Sequence, residues 1–177
     1  MFHSHPLKLA VLGAALAGSA LVTLPAEAGR LRATHANADG GVTSATGVAR
    51  RGPDGGGLVR GRRVTTDGQG NASVTSGAAA RGPNGGTAQR SGSSAVGADG
   101  SASHQSSMSA SGSQGSMASS GSATRDASGS ITQNRNTTAT STVTGNSVQS
   151  STSYNSATGA TRSTTCYDSA GATIACR

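Results

Sequence analysis

Residues 154–176, YNSATGATRSTTCYDSAGATIAC, contain both tyrosines and both cysteines of the chain and repeat one short phrase. The stretch 154–161 returns at 167–173 with one residue fewer. Each copy has an Asx residue directly after Tyr and a Gly before Ala-Thr, which favour the first and last positions of a hairpin turn. This stretch therefore predicts antiparallel β-hairpins at the carboxyl end.

The same turn chemistry recurs along the chain. The pattern Asp-x-x-Gly begins at Asp54, Asp67, Asp126 and Asp168, and Asp39-Gly40 and Asp99-Gly100 resemble it in part. An Asp side chain accepts backbone hydrogen bonds at the start of such a turn, and Gly takes the left-handed position at its end. The predicted fold class is all-β, a meander of short hairpins with Asp-x-x-Gly turns, or else a largely disordered low-complexity chain.

The strongest strand pattern lies at 131–154, where Thr138, Thr140, Thr142 and Thr144 alternate with Ala139, Ser141 and Val143. A two-residue turn at Gly145-Asn146 would place Val143 opposite Val148. By contrast, 101–122 consists of Ser, Ala, Gly, Gln and Met with almost no charge and no clear period. Disorder or a weak, flat β segment is expected there.

If the chain is exported, its two cysteines predict one disulfide, Cys166–Cys176. A three-residue loop at Asp168 would place Cys166 opposite Ile174, with Cys176 as a diagonal neighbour on the same face. Closing this short loop stabilises the folded chain by about 2.5–3 kcal/mol in the chain-entropy model.

An internal duplication precedes this region. Arg51-Gly-Pro-Asp-Gly-Gly returns thirty residues later as Arg81-Gly-Pro-Asn-Gly-Gly, and each copy is followed by an arginine at the same distance, Arg60 and Arg90. Pro and Gly suit successive corners of a turn, and a short strand is expected behind each one. Two copies are fewer than a stacked repeat protein requires.

The amino terminus has the pattern of a signal peptide. Lys8 precedes an apolar run at 9–24, and Ala26-Glu27-Ala28 is an A-x-A cleavage pattern. The run is short for a membrane-spanning helix. We therefore expect a signal-peptide helix in 1–28 and an exported mature chain without a membrane span, located in the periplasm, on the outer surface or outside the cell.

Large apolar residues are scarce after residue 28, where the chain has few Leu, Val and Ile and no Phe or Trp. Burial of so few side chains cannot offset the backbone entropy of ordering the whole chain in a packed core. The composition divides the chain into a signal peptide, a flexible lead, an Arg-rich duplicated repeat, a Ser/Gly-rich linker and a hairpin tail. These segments are 1–28, 29–50, 51–110, 111–130 and 131–177.

After residue 28 the chain has no Lys and no Glu, so its charge comes from Arg and Asp. Between Arg50 and Arg90 the only acids are Asp54 and Asp67. Arginine suits phosphate through its planar fork, although a basic surface also keeps a core-poor chain soluble. The candidate anion-binding residues are Arg50, Arg51, Arg60, Arg62, Arg63, Arg81 and Arg90.

No arrangement for catalysis or for a metal is recognisable. Only His35 and His104 follow the signal peptide, the Asp residues are committed to turns, and the Cys and His spacings match no zinc site. The expected protein is not an enzyme and needs no cofactor. Nucleic acid is not the expected partner, because no aromatic residue lies among the Arg-Gly segments to stack on bases.

Three resemblances bear on this interpretation. Tyr167-Asp168-Ser169-Ala170-Gly171 resembles the Tyr-Asp-x-x-Gly core of YD/Rhs hairpin repeats, which implies a hairpin. The stretch 69–72, Gln-Gly-Asn-Ala, resembles part of a curli-type repeat. The chain from residue 29 onward is similar to exported Gly/Ser/Thr-rich repeat proteins of Gram-negative bacteria that carry Gly-Pro-Asn-Gly-Gly phrases, a likeness that implies export and no particular activity.

The sequence thus predicts an exported, non-enzymatic structural or surface-interaction protein of the cell envelope. Its expected partners are anionic envelope components, such as the phosphates of lipopolysaccharide, bound electrostatically. The alternative is a self-assembling subunit of an extracellular matrix or fibre, because flat polar strands with open edges add further strands readily.

Overall fold

The structure, a computed structural model, describes residues 28–176, so the predicted signal peptide lies almost wholly outside the described residues. Within this range the protein consists of strands joined by turns. The strands are β1 (Ala28–Ala36), β2 (Val42–Arg51), β3 (Gly57–Thr66), β4 (Ala72–Arg81), β5 (Thr87–Val96), β6 (Ala102–Gly112), β7 (Gly115–Arg125), β8 (Ile131–Ser141), β9 (Ser147–Asn155), β10 (Gly159–Tyr167) and β11 (Thr173–Ile174).

The strands form one open antiparallel sheet in which spatial order equals chain order, from β1 to β11. The all-β meander is therefore confirmed. Each strand contacts only the strands before and after it in the chain. The segments that composition distinguished, from 29–50 to 131–177, all contribute strands to this sheet, including the Ser-rich stretch 101–122, which lies mainly in β6 and β7.

Glycines at positive φ mark the turns at regular intervals. Gly40, Gly55, Gly70, Gly85 and Gly100 follow one another at fifteen residues, with φ between 79° and 96°. The repeating unit is thus one strand and one turn, and the thirty-residue duplication in the sequence corresponds to two such units. The prolines of the two duplicated phrases, Pro53 and Pro83, lie in turns, where the missing N–H group breaks no ladder bond.

Three of the four predicted Asp-x-x-Gly turns form as expected. At Asp67, Asp126 and Asp168 the carboxylate accepts hydrogen bonds from backbone N–H groups of its own turn. The prediction that a turn begins at Asp54 is wrong. The turn begins at Gly52, whose carbonyl accepts from the N–H of Gly55, so Asp54 occupies the third position and Gly55 takes the positive φ.

The predicted Gly145-Asn146 turn is also wrong. Ser141 closes a longer loop, with its N–H donating to the Asn146 carbonyl and its own carbonyl accepting from the N–H of Gly145. Val148 therefore pairs with Ala139, and Val143 lies in the loop with 75 % of its surface exposed. Gly145 does have positive φ, but at the end of a loop of four residues rather than at its beginning.

The predicted disulfide is confirmed between Cys166 and Cys176, whose Cα atoms are 5.4 Å apart, within the normal range. Cys166 pairs with Ile174, as the three-residue loop predicts. Strand β11 contains only two residues, so the disulfide holds this short strand against the carboxyl-terminal end of β10.

The sheet is a single layer without a hydrophobic core. No hydrophobic side chain between residues 28 and 176 is buried, which agrees with the scarcity of large apolar residues. Order comes instead from the backbone ladder and from contacts between successive turns at the same end of the sheet. The Ala98 N–H donates to the Asn71 side chain at 2.9 Å, and the Asn37 amide donates to the Thr66 carbonyl at 3.0 Å. Among the described residues no helix is long and apolar enough to cross a membrane.

Candidate anion-binding face

The register of the sheet assigns every strand residue to one of two faces. Directly paired residues of antiparallel strands project on the same side, and neighbours along a strand project on opposite sides. Following the pairs from strand to strand gives rows that cross the sheet. One such row contains Arg30, Val48, Arg60, Ala78 and Arg90.

Arginines are distributed very unequally between the two faces. One face, here named the arginine face, carries most of the arginines that the structure describes, and all of them are exposed. They are Arg30, Arg32, Arg50, Arg60, Arg62, Arg90, Arg125, Arg135 and Arg162. The opposite face carries only Arg51, Arg63 and Arg81.

The densest part of the arginine face lies on β1 to β5. Arg30, Arg60 and Arg90 occupy every second strand of one row, so they are about 10 Å apart. Arg32 and Arg62 repeat this arrangement two residues further along the strands. The result is a regular two-dimensional array of arginine positions. We refer to Arg30, Arg32, Arg50, Arg60, Arg62 and Arg90 as the arginine patch.

Small residues that lie between arginines on the arginine face are half-buried. On β4 the side chains on the arginine face are half-buried, whereas those on the other face are exposed. Ala78, for example, lies between Arg60 and Arg90 in its row. Arginine stems are apolar and lie readily over small neighbours while the charged group stays in water. The guanidinium groups therefore remain available to a partner.

The predicted anion-binding set is divided by the sheet. Arg50, Arg60, Arg62 and Arg90 lie together on the arginine face, while Arg51, Arg63 and Arg81 lie on the other face. The structure places Arg30 and Arg32 on the arginine face as well. The sequence prediction had assigned both to the flexible lead and had not included them in the anion-binding set. The spacing of thirty residues between Arg30, Arg60 and Arg90 is the signal that could have found them.

The opposite face is rich in hydroxyl groups, and we name it the hydroxyl face. Its serines and threonines form cross-strand hydrogen bonds, including Ser91 to Ser107 at 2.8 Å and Ser151 to Ser163 at 2.7 Å. Such ladders satisfy the side chains within the sheet and stabilise neighbouring strands. The two faces therefore differ in chemistry: one is strongly basic, and the other is hydroxylated with only three arginines.

The carboxylates lie apart from both faces, because all six Asp residues from 28 to 176 are in turns. Four of them, Asp39, Asp67, Asp99 and Asp126, lie in turns at the same end of the sheet, the acidic end. They accept hydrogen bonds from their own turns, for example from the Ser101 N–H to Asp99 at 2.9 Å. They are therefore occupied as turn acceptors, and the faces keep their positive charge.

These hydrogen bonds lower the pKa of three carboxyl groups at the acidic end. The Asn71 side chain contributes most to the lowered pKa of Asp67, the Ser101 hydroxyl to that of Asp99, and the Ser128 hydroxyl to that of Asp126; backbone N–H groups add to each. Each donor favours the ionised form, which is the better acceptor.

Acid is expected to destabilise the sheet at this end. Because the pKa of these groups is lower in the folded protein than in the unfolded chain, their contribution is present above about pH 4 and is lost as the pH falls through the folded pKa. Urea midpoints measured by circular dichroism should decrease as the pH is lowered from about 4 through the folded pKa of these groups. In the triple variant Asp67→Asn, Asp99→Asn, Asp126→Asn, the difference from the wild type should be largest at neutral pH and vanish in acid. A difference that does not change with pH would contradict this.

The residues described provide no group of three His, Cys, Asp or Glu side chains that could hold a metal ion. His104 accepts or donates one hydrogen bond with Ser94 at 2.8 Å, and both cysteines are in the disulfide. Tyr154 and Tyr167 lie on β9 and β10, far across the sheet from the arginine patch.

Comparison of the chain with protein-family models, with curated proteins and with solved structures gave no match.

Proposed function

We propose that the protein is an exported, non-enzymatic surface-interaction protein of the cell envelope that binds anionic partners electrostatically through its arginine face. The observation that carries this proposal is the segregation of charge. Most arginines project from one face, and the aspartates are held in turns at the sheet ends. A surface of one sign raises the local concentration of a partner of the opposite sign and speeds its association.

The array suits a partner that carries several phosphate or similar groups. A guanidinium group binds phosphate through two parallel hydrogen bonds and stays charged at every physiological pH. Arginines whose backbone positions are about 10 Å apart can engage several anions of one partner at once. Binding then releases several counterions and depends steeply on salt.

A salt titration tests the proposal. The purified protein is mixed with inorganic polyphosphate, and in parallel with lipopolysaccharide, and the dissociation constant is measured at increasing sodium chloride. We expect the logarithm of affinity to fall linearly with the logarithm of salt, with a slope of several units. Affinity that stays constant with salt, or absence of binding at low salt, would overturn the proposal.

Self-assembly is a second candidate because the sheet has open edges. Within residues 28–176, no strand pairs with the outer edge of β1, and β11 pairs with β10 only at Cys166 and Tyr167. The strands alternate in direction, so β1 of one copy continues the antiparallel order beside β10 of another. Such addition would build an open filament.

The charges at the two edges oppose this addition when the rows of one copy continue directly into the rows of the next. Arg32 on β1 and Arg162 on β10 belong to the same row, which passes through Arg62 and Arg135. Extending the sheet would place Arg32 of one copy directly opposite Arg162 of the next. Like charges in a directly opposed pair are destabilising, and charged residues commonly protect edge strands.

Replacing Arg162 by Asp should therefore promote assembly, because attraction to Arg32 replaces repulsion. We expect the concentration at which half of the protein is assembled to fall at least about tenfold, as measured by analytical ultracentrifugation at low salt. Arg135→Asp is the matched control, with the same charge change in the same row on an interior strand. Equal behaviour of the two variants would exclude edge pairing in this register.

A further inference from the structure

Exposed apolar side chains share the face that carries the arginines. Between residues 28 and 176, the larger hydrophobic side chains exposed on the arginine face are Val42, Val96, Met108, Ile131, Tyr154 and Ile174. On the hydroxyl face they are Leu31 and Val59. The arginine face is thus both the more basic and the more apolar of the two. A basic surface that contacts only water does not require exposed valines, so these side chains call for another explanation.

The arginine patch has apolar neighbours on the same strands. Val42 and Val96 lie in the outermost row, next to the acidic end, with 44 % and 48 % of their surface exposed. Half-buried Val64 and Val74 form a directly opposed pair in the next row inward on the same face, and Leu58 lies in a row near the other end. Long basic side chains therefore project from a surface whose short apolar side chains lie beneath and beside them.

The sheet twist limits how much of the face contacts a flat partner. Adjacent strands rotate by about 20° in an ordinary sheet, so strands five apart are turned by about 100°. The nine arginines of the face therefore cannot all lie on one plane. The six arginines of the patch lie on β1 to β5 together with exposed Val42 and Val96. Because β1 and β5 are themselves turned by about 80°, a flat partner contacts neighbouring strands of the patch rather than all of it at once.

Because basic and apolar side chains lie together on this face, we infer that the arginine patch docks on the surface of an anionic lipid bilayer. The inference rests on the proposed function and names the partner. Guanidinium groups would contact lipid phosphates, and Val42 and Val96 would enter the boundary between headgroups and acyl chains. A soluble polyanion would satisfy the arginines alone. A second copy of the chain placed face to face would oppose arginine with arginine.

The orientation follows from the two faces. With the arginine patch against the lipid, the hydroxyl face, with its ladders such as Ser91 to Ser107, faces water. Valine is much shorter than arginine, so the contact is shallow. Electrostatic attraction brings the protein to the surface, and the apolar contacts retain part of the binding when salt screens the charges.

Single tryptophans on the two faces test the orientation, because the chain contains none. Val96→Trp introduces one on the arginine face, and Val59→Trp is the matched control on the hydroxyl face of a neighbouring hairpin, at similar exposure. Each full-length variant is titrated with phosphatidylcholine vesicles that contain or lack phosphatidylglycerol. Brominated lipids in the same vesicles report contact with acyl chains, and circular dichroism confirms that each variant is folded.

We expect the Val96→Trp emission to shift to the blue and to be quenched by brominated lipid in anionic vesicles only, while the Val59→Trp emission stays unchanged. Polyphosphate binding without vesicle binding would overturn the lipid inference and leave the proposed function intact. Equal shifts on both faces, or vesicle binding without any shift at either position, would also overturn it. Failure to bind both polyphosphate and anionic vesicles at low salt would overturn the proposed function itself.

Discussion

Replacing Arg30, Arg60 and Arg90 together by Gln is expected to weaken binding to anionic vesicles by more than about a hundredfold at low salt. These three residues form one row of the arginine patch. An arginine near an anionic surface contributes about 1 kcal/mol, so three of them contribute about 3 kcal/mol, and each 1.4 kcal/mol is a factor of ten. For polyphosphate the salt slope should decrease by about three.

The matched control is the triple variant Arg51→Gln, Arg63→Gln, Arg81→Gln. It removes the same net charge from the same strand region but from the hydroxyl face. We expect its affinity to fall less than about tenfold, because only the long-range field of the protein changes. If both triple variants lose affinity equally, net charge alone explains the binding, and the arginine face has no special role.

Gly115→Ala is expected to be strongly destabilising. A Cβ atom at Gly115 would overlap the Thr140 carbonyl oxygen, a backbone atom of the neighbouring strand β8 that cannot move without disturbing the ladder. Forcing an added methyl group into such a contact costs about 1–3 kcal/mol, and backbone contacts lie at the upper end. The urea midpoint, followed by far-ultraviolet circular dichroism, should decrease accordingly.

Gly112→Ala provides the comparison on the other side of the same turn. A Cβ atom there meets nothing within 4 Å, and Gly112 is not among the glycines with positive φ. The substitution should be neutral or stabilise the protein by a few tenths of a kcal/mol, because Ala restricts the unfolded chain more than Gly does. Equal midpoints for the two alanine variants would show that the close contact at Gly115 does not constrain the sheet.

The positions of most turns follow from local chemistry, and that is why the sequence predicts them well. Asp67, Asp126 and Asp168 provide acceptors for their own turn amides, and Gly70, Gly129 and Gly171 take the left-handed position. At Asp54 the same pattern failed because Gly52-Pro53 starts the turn two residues earlier. Proline prefers the first corner, and this preference outweighs the Asp cap.

Registers depend on loop length, which local chemistry leaves open. The loop at 142–145 has one more residue than the three-residue turns, and a two-residue turn at Gly145-Asn146 is chemically as reasonable. The two choices give different partners for Val148. In 101–122 no side-chain period indicates strands, yet β6 and β7 form because β5 and β8 supply ladder partners on both sides.

Composition and local sequence patterns predict most of the turns, the disulfide and the lack of residues for a core, because each depends on composition or on neighbours within a few residues. They predict an all-β meander as one of two alternatives, the other being a largely disordered chain. The sequence prediction grouped Arg50 with Arg51, although adjacent strand residues project on opposite faces. The strand registers were needed to show that Arg30, Arg60 and Arg90 form one row and that Arg63 and Arg81 lie on the other face. Side chains along a strand alternate with a period of two, so one residue more or less in a turn reverses the face of every side chain that follows it.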